Sequence, residues 1–401
     1  MKQVRYLTAR EAAEALHVSL ATLYTYVSRG LIRSEPANTK NHARLYAAED
    51  IQRLIEQKTY RHDPSQAASN AIYWGIPILE SELTLIDEDR VYYRGQEVLQ
   101  LATSSTFEQI AALLWTGELS SAPGIFAESG PPTPRQLDTA LPPAQRLQVV
   151  LAAASASDLA AYDLDAQSRN LLRSGARILK LMAATLAGRE AKADETIVAQ
   201  LRRGWQLSET PAEALLRTAL ILCADHELNA SSFAARIVAS TSTNLYQVVI
   251  AGLAALQGFK HGGQTLLVEN LLRDIPTPEA ARPMVAERIR RGEGVPGFGH
   301  RLYPQGDPRA RLLLGLVEQA YPTAPVVQRT RALATAVREI TGREPVLDVA
   351  LVTLAGALQL PGEMALALFA LGRTAGWIGH AIEQYNGGQM IRPRAKYVGP
   401  R

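Results

Sequence analysis

Beyond about residue 98, this chain of 401 residues shows almost no alternation of apolar and polar side chains. Alanine and leucine recur instead at helical spacing. FEQIAALLWTGEL, QVVLAAASA, NLLRSGARILKLMAATLA, AEALLRTALILCADHEL and VALVTLAGALQL each carry an apolar stripe of that period, which a helix buries along one face and a strand does not. The expected fold is therefore mainly α, with helices that cover one another. Aromatic residues make up only 6%, which argues against a strand-rich core. One short extended stretch, ESELTLIDEDRVYYRGQEV, precedes the helices, and a proline-rich surface loop is expected between about 119 and 145.

The length allows two or three domains. No segment approaches ~18 consecutive apolar residues, so no membrane span is expected. MKQVRYLTAREAAEAL lacks the apolar stretch of a signal peptide. The single cysteine, Cys223, excludes an intramolecular disulfide framework and suits a reducing cytoplasm. Its setting, LILCADHE, reads as a buried helix face rather than a nucleophile's site.

The net charge of +3 is unevenly spread. Residues 1–62 hold ten Lys and Arg against six Asp and Glu; the remainder holds 32 against 33. A nucleic-acid partner would therefore be met by the first segment. There, Thr8 and Glu11 form a capping box that opens a helix. Ala12, Ala13 and Leu16 supply its inner face, Ser19 caps a second helix lined by Leu20, Leu23 and Val27, and Gly30 ends it. LIRSEPANTKNHARLYAAEDIQRLI then resembles a basic wing returning into a third helix. Residues 59–72 are polar and read as a linker, placed at 63–72. The histidines at 17, 42 and 62 lack metal-ligand spacing, and no metal site is expected anywhere.

Downstream, three histidines stand in polar islands: His226 in DHELNASSFAAR, His261 in GFKHGGQ and His300 in PGFGHRLYPQGDPRA. A lone acid, Asp348, interrupts PVLDVALV, and arginines follow at 373, 392 and 394. Guanidinium forks clamp carboxylates, histidines polarise carbonyls, and a carboxylate can take a proton from carbon. Together these groups suit carbon–carbon bond formation between an acyl thioester and an oxo-diacid. His380 reads as a structural histidine.

Two resemblances organise these features. Residues 4–58 resemble the winged helix-turn-helix of the MerR and excisionase type. That implies a groove-reading second helix presenting Thr22, Tyr24, Thr25, Tyr26, Ser28 and Arg29, with Arg33, Lys40 and Arg44 on phosphates. A three-helix bundle kept for dimerisation or partner binding is the alternative. From 73 to 401, YRGQEVLQLATSSTFEQIAALLWTGEL, HELNASSFAARIVASTSTNLYQVVIAGLAALQGFKHGG, VPGFGHRLYPQGDPRA, PVLDVALVTLAGAL and GWIGHAIEQYNGGQMIRPRAKYVGP resemble citrate synthase, five motifs in order.

The second resemblance implies a large lobe (about 73–225 and 335–401) and a small lobe (about 226–334) in a cytoplasmic homodimer. It implies acetyl-CoA as cosubstrate and no tightly bound cofactor. Asp348 would remove a methyl proton from acetyl-CoA, His261 would hydrogen-bond the thioester oxygen, and His300 would polarise the keto group of oxaloacetate. His226, Arg309, Arg373 and Arg392 would bind substrate, Arg392 from the second subunit. Gly262, Gly263, Gly297 and Gly299 would let the chain approach CoA, with Arg301 near its phosphates. The sequence departs from the family where Gln264 and Thr265 follow the two glycines, at Val346, and at Pro304, where a basic residue is usual; Arg301 or Arg311 could compensate. Propionyl-CoA in place of acetyl-CoA, and a DNA-binding regulator that uses the fold as a sensor, remain open readings.

Overall fold

The computed structural model describes residues 6–16, 18–36, 44–48, 50–51, 79–87, 89–127, 129, 141–166, 168–190, 192, 195–208, 210–395 and 397–400. The chain divides into two compact units, residues 1–80 and 81–401. The expected linker, Lys40 and the histidines at 17, 42 and 62 lie outside the described residues, as does most of the third helix.

In the first unit, strand β1 (Tyr6–Thr8) leads into helix α1 (Ala9–Ala15), followed by α2 (Leu20–Ser28), β2 (Ser34–Pro36) and β3 (Arg44–Ala47). The antiparallel sheet runs β1-β3-β2, so the expected wing is a hairpin. Thr8 and Glu11 cap α1 reciprocally, and Ser19 Oγ accepts from Thr22 N at the start of α2. The core is Ala12, Ala13, Leu16, Leu23, Ile32, Tyr46 and Ile51. Alanines at 12 and 13 let α2 approach closely.

Three expectations for this unit are corrected. Leu20 is 46% exposed, because the first residue of α2 precedes the turn that faces the core. Tyr26 packs against that core, leaving Tyr24, Thr25, Ser28 and Arg29 as the exposed face. Arg33 directs its fork to buried Asp50, with Nε–Oδ2 at 2.8 Å and Nη2–Oδ1 at 3.0 Å, and so braces the wing rather than standing ready for phosphate. Arg44 is exposed but donates to Ser34 Oγ and its carbonyl at 3.0 and 2.9 Å.

The second unit opens with the antiparallel meander β4 (Thr84–Asp87), β5 (Arg90–Tyr93) and β6 (Gln96–Glu97). Helices dominate thereafter. Those that position the site are α3 (Ala212–Cys223), α4 (Ala230–Ala239), α5 (Gln264–Asp274), α6 (Pro308–Ala320), α7 (Leu347–Ala357) and α8 (Met364–Gly387). Part of the loop expected at 119–145 is helical: Ala122–Ala127 forms a helix that buries Ile125 and Phe126. Helix α8 packs against α3, α4, α5 and α7. It is long and apolar enough to cross a bilayer by length and composition, yet its apolar window is wholly buried within the protein. Its apolarity is that of a central core helix.

Candidate active site

His226 leaves the end of α3 and is 8% exposed. Its Nε2 lies 2.8 Å from the Tyr303 hydroxyl. The His300 ring meets His226 edge-on at 5.5 Å between centroids and lies 5.0 Å from the Tyr303 ring. Burial holds both histidines below the ordinary pKa, helped by the Arg309 charge, so both rings are neutral near pH 7. His300 Nδ1 accepts the Leu302 N–H at 3.2 Å. The neutral ring therefore carries its hydrogen on Nε2, as a donor.

Arg309 begins α6, is 4% exposed and stacks over Tyr303 at 5.5 Å. Its Nε and Nη2 donate to Asp307 at 3.0 and 2.8 Å. Burial opposes the Arg309 charge, but the adjacent carboxylate more than restores it. Asp307 also caps α6 through Arg309 N and accepts Leu347 N at 3.3 Å, which brings in the start of α7. Asp348 follows in that first turn. Its Oδ1 is sealed from solvent and has no hydrogen-bond partner among the described residues. Burial pushes its pKa up to about 7, against the pull of its own backbone N–H, Arg309 and Arg373.

Arg373, on α8, is 1% exposed. Its Nε donates to Cys223 O at 2.7 Å, and its guanidinium lies over Phe369 at 5.1 Å. Phe369 in turn meets the His261 ring edge-on at 6.2 Å. Burial, then Arg373, lowers the His261 pKa to about 4, leaving it neutral. Ser231 Oγ, in the first turn of α4, lies 2.8 Å from both His261 Nε2 and Asn229 Oδ1 and accepts from Trp377 Nε1 at 3.1 Å. The one serine hydrogen goes either to Asn229 Oδ1 or to His261 Nε2; in the second case His261 carries its own on Nδ1, able to donate.

One electrostatic cluster thus joins side chains from α6, α8 and the loops that precede α4, α5 and α6: Arg309, Arg373, His300 and His261 all act on His226. The sequence profile for "Citrate synthase, C-terminal domain" matches residues 72–394.

The chain belongs to the citrate synthase family.

It is a condensing acyltransferase, with a helix-turn-helix domain matched over residues 6–59. The citrate synthase of Haloferax volcanii is 31% identical over 360 residues, covering 82% of this chain and 95% of that one. The 2-methylcitrate synthase of Mycobacterium tuberculosis is 28% identical, covering 77% and 84%. Among solved structures, the ternary complex of Thermoplasma acidophilum citrate synthase with carboxymethyl coenzyme A and oxaloacetate superposes with a TM-score of 0.73 at 26% identity, over 83% of this chain and 96% of that one.

Three of the expected glycines stand in tight contact with the rest of the protein. A Cβ on Gly262 would lie 2.6 Å from Leu256, one on Gly263 2.5 Å from Gln257 O, and one on Gly297 2.5 Å from Val268. These glycines make room for the protein's own chain. Gly299 is exposed, with φ +83°, and serves the turn before His300. Arg301 and Arg392 are exposed, Arg392 on the irregular segment after α8. Cys223 is buried, and burial raises its thiol to about 12, so it is inert as a nucleophile. Among the described residues no group of His, Cys, Asp and Glu is arranged to hold a metal. Asp307, Ser231, Tyr303 and Trp377 were not singled out from sequence. Each acts by touching a partner distant along the chain, a relation no local pattern carries.

Proposed function

We propose that residues 73–401 condense acetyl-CoA with oxaloacetate to give citrate and CoA. The observation that carries this reading is the Asp348 carboxyl, its Oδ1 sealed and without a hydrogen-bond partner among the described residues and its pKa raised to about 7, beside neutral histidines and two buried arginines. Asp348 takes a proton from the thioester methyl while His261 donates a hydrogen bond to the thioester oxygen, so an enol forms rather than a free carbanion. The enol carbon attacks the keto carbon of oxaloacetate. His300 Nε2 polarises the keto oxygen through a hydrogen bond as it becomes a hydroxyl, and in net the hydroxyl gains the proton that Asp348 took from carbon. Water then cleaves the resulting thioester, releasing CoA.

His226, Arg309 and Arg373 hold the oxaloacetate carboxylates, with Arg392 of the partner subunit completing the clamp in a cytoplasmic homodimer. Closure of a small lobe (about 226–334) on a large one excludes water before the base acts. CoA is a cosubstrate, and no tightly bound cofactor takes part. A thiol-release assay with oxaloacetate and a series of acyl-CoAs tests the reading. Release with acetyl-CoA supports it, a clear preference for propionyl-CoA makes the enzyme a 2-methylcitrate synthase, and no release with any thioester overturns it.

The first unit is proposed to bind DNA through the exposed face of α2, Tyr24, Thr25, Ser28 and Arg29, with Arg44 beside it. Exposure of these side chains on a capped second helix favours this reading over a purely dimerising bundle. Arg29→Ala in the full chain should weaken binding and lower its salt slope by about one. Absence of DNA affinity at low salt would leave the unit an interaction module.

A further inference from the structure

Residues 223–226 connect α3 to the turn before α4 and carry two functional contacts: the carbonyl that orients Arg373, and His226 itself. Their polar groups are tied down on two sides. Ala224 O accepts Gly376 N at 2.9 Å. The Tyr93 hydroxyl, from β5, bridges Ile221 O, Asp225 O and Asp225 N at 3.0 to 3.1 Å. Thr84 Oγ1, from β4, donates to Asp225 Oδ2 at 2.6 Å. A Cβ on Gly376 would lie 2.3 Å from Ala224 O and 2.5 Å from Asp225 Oδ1, so the strap rests directly on the α8 backbone.

The remaining oxygen, Asp225 Oδ1, lies 3.2 Å from His380 Nε2, close but out of hydrogen-bond alignment, and neither side chain reaches solvent. Further along α8, His380 Nδ1 is 3.9 Å from Glu383 Oε2, which pairs with Arg236 at 3.1 Å. Asp225 is held ionised: burial opposes its charge, but His380, Arg373 and Thr84 outweigh it. Asp225 also acts on Arg373, supporting that charge against burial. One buried anion thus stands between two basic groups on α8, seven residues apart. A buried carboxylate that loses one counter-group leans on the other.

We infer that His380 and Asp225 are positioning residues for the oxaloacetate clamp: His380 draws the Asp225 carboxylate to its own side, so the Arg373 guanidinium stays available to substrate. The inference rests on the function proposed above. Without His380, Asp225 competes with the substrate carboxylate for Arg373, and the strap carrying His226 shifts with it. The effect falls on oxaloacetate and spares the thioester, because His261 is held separately, through Ser231 and Trp377.

The test uses full-length protein, calorimetric oxaloacetate binding and acyl-CoA KM. His380→Leu should weaken oxaloacetate at least about tenfold and His380→Gln, which keeps an amide donor, by less, with acyl-CoA KM unchanged in both. Adding Asp225→Asn removes the competing anion and should recover most of the loss in each background, a coupling that a purely structural role would not produce. If the leucine variant does not fold, the glutamine variant and its double carry the same comparison. Unchanged oxaloacetate binding, an equal rise in both substrates' constants, or no recovery on adding Asp225→Asn overturns the inference. Wild-type protein that binds no oxaloacetate would instead overturn the functional reading, and this inference with it.

Discussion

Asp307 and Asp348 are neighbours in the fold, the first buried and the second half-buried with its Oδ1 sealed from water, and their carboxyls behave in opposite ways. Asp307 accepts from the Arg309 guanidinium twice, from Arg309 N and from Leu347 N. Its pKa lies below the usual aspartate value although burial works to raise it. Asp348, one residue beyond Leu347, has a sealed Oδ1 with no partner, and burial prevails. Burial is common to both; the supply of donors differs. A buried carboxylate with a full set of donors is a fixed charge, whereas one left short of them is a proton acceptor tuned near neutrality. The fold spends its donors on the acid that orients Arg309 and withholds them from the acid placed to do chemistry.

The largest expected effect separates the two roles. Asp348→Asn should lower kcat at least ~100-fold, since base catalysis is commonly worth that much, while calorimetric oxaloacetate binding stays near wild type. A variant retaining more than about a tenth of kcat would show that the proton goes elsewhere. Asp307→Asn should do the reverse in kind. It leaves the Arg309 charge buried without its partner, a loss of about 3–5 kcal/mol when one half of such a pair is removed. Melting temperature and oxaloacetate affinity should both fall, and loss of kcat alone with unchanged binding would erase the distinction.

A smaller effect lies in the pH profile. The reaction needs Asp348 deprotonated, so kcat should rise with pH through about 7 and fall roughly tenfold per unit below it. A flat profile between about pH 5 and 7 would contradict the raised pKa. The smallest effect concerns stability, where the two acids have opposite signs. Unfolded aspartate loses its proton near pH 4. Folded Asp348 keeps its proton to about 7, so its contribution is full below about pH 4 and is lost as pH rises through about 7. The depressed Asp307 pKa gives a contribution present above about pH 4 and lost as pH falls further. Asp348→Asn should therefore melt higher than wild type at about pH 8 and alike at about pH 4. Equal melting at both values would mean that Asp348 is not protonated in the fold at neutrality.

Much of this molecule could be read from the chain. The capping box of Thr8 and Glu11, the Ser19 cap and the apolar helical stripes are local, because residues three or four apart on a helix meet regardless of the rest of the fold. The ordered motifs around His226, His261, His300 and Asp348 identified the family for the same reason: each is a short run whose spacing survives in sequence. What escaped is what depends on contacts between distant segments. Nothing in SEP or AAED announces that Arg33 binds Asp50, and nothing near residue 297 says that Val268 closes over that glycine. Leu20 has the pattern of a core residue, yet as the first residue of α2 it precedes the turn that faces the core. An isolated acid in an apolar run could have been a helix cap or a partner for arginine, and Asp307 is both. Sequence by itself determined where helices begin, which faces they bury and which residue types chemistry could use. Which aspartate received the donors was settled by long-range contacts, because hydrogen bonds and burial are set by whatever side chains arrive from elsewhere in the chain.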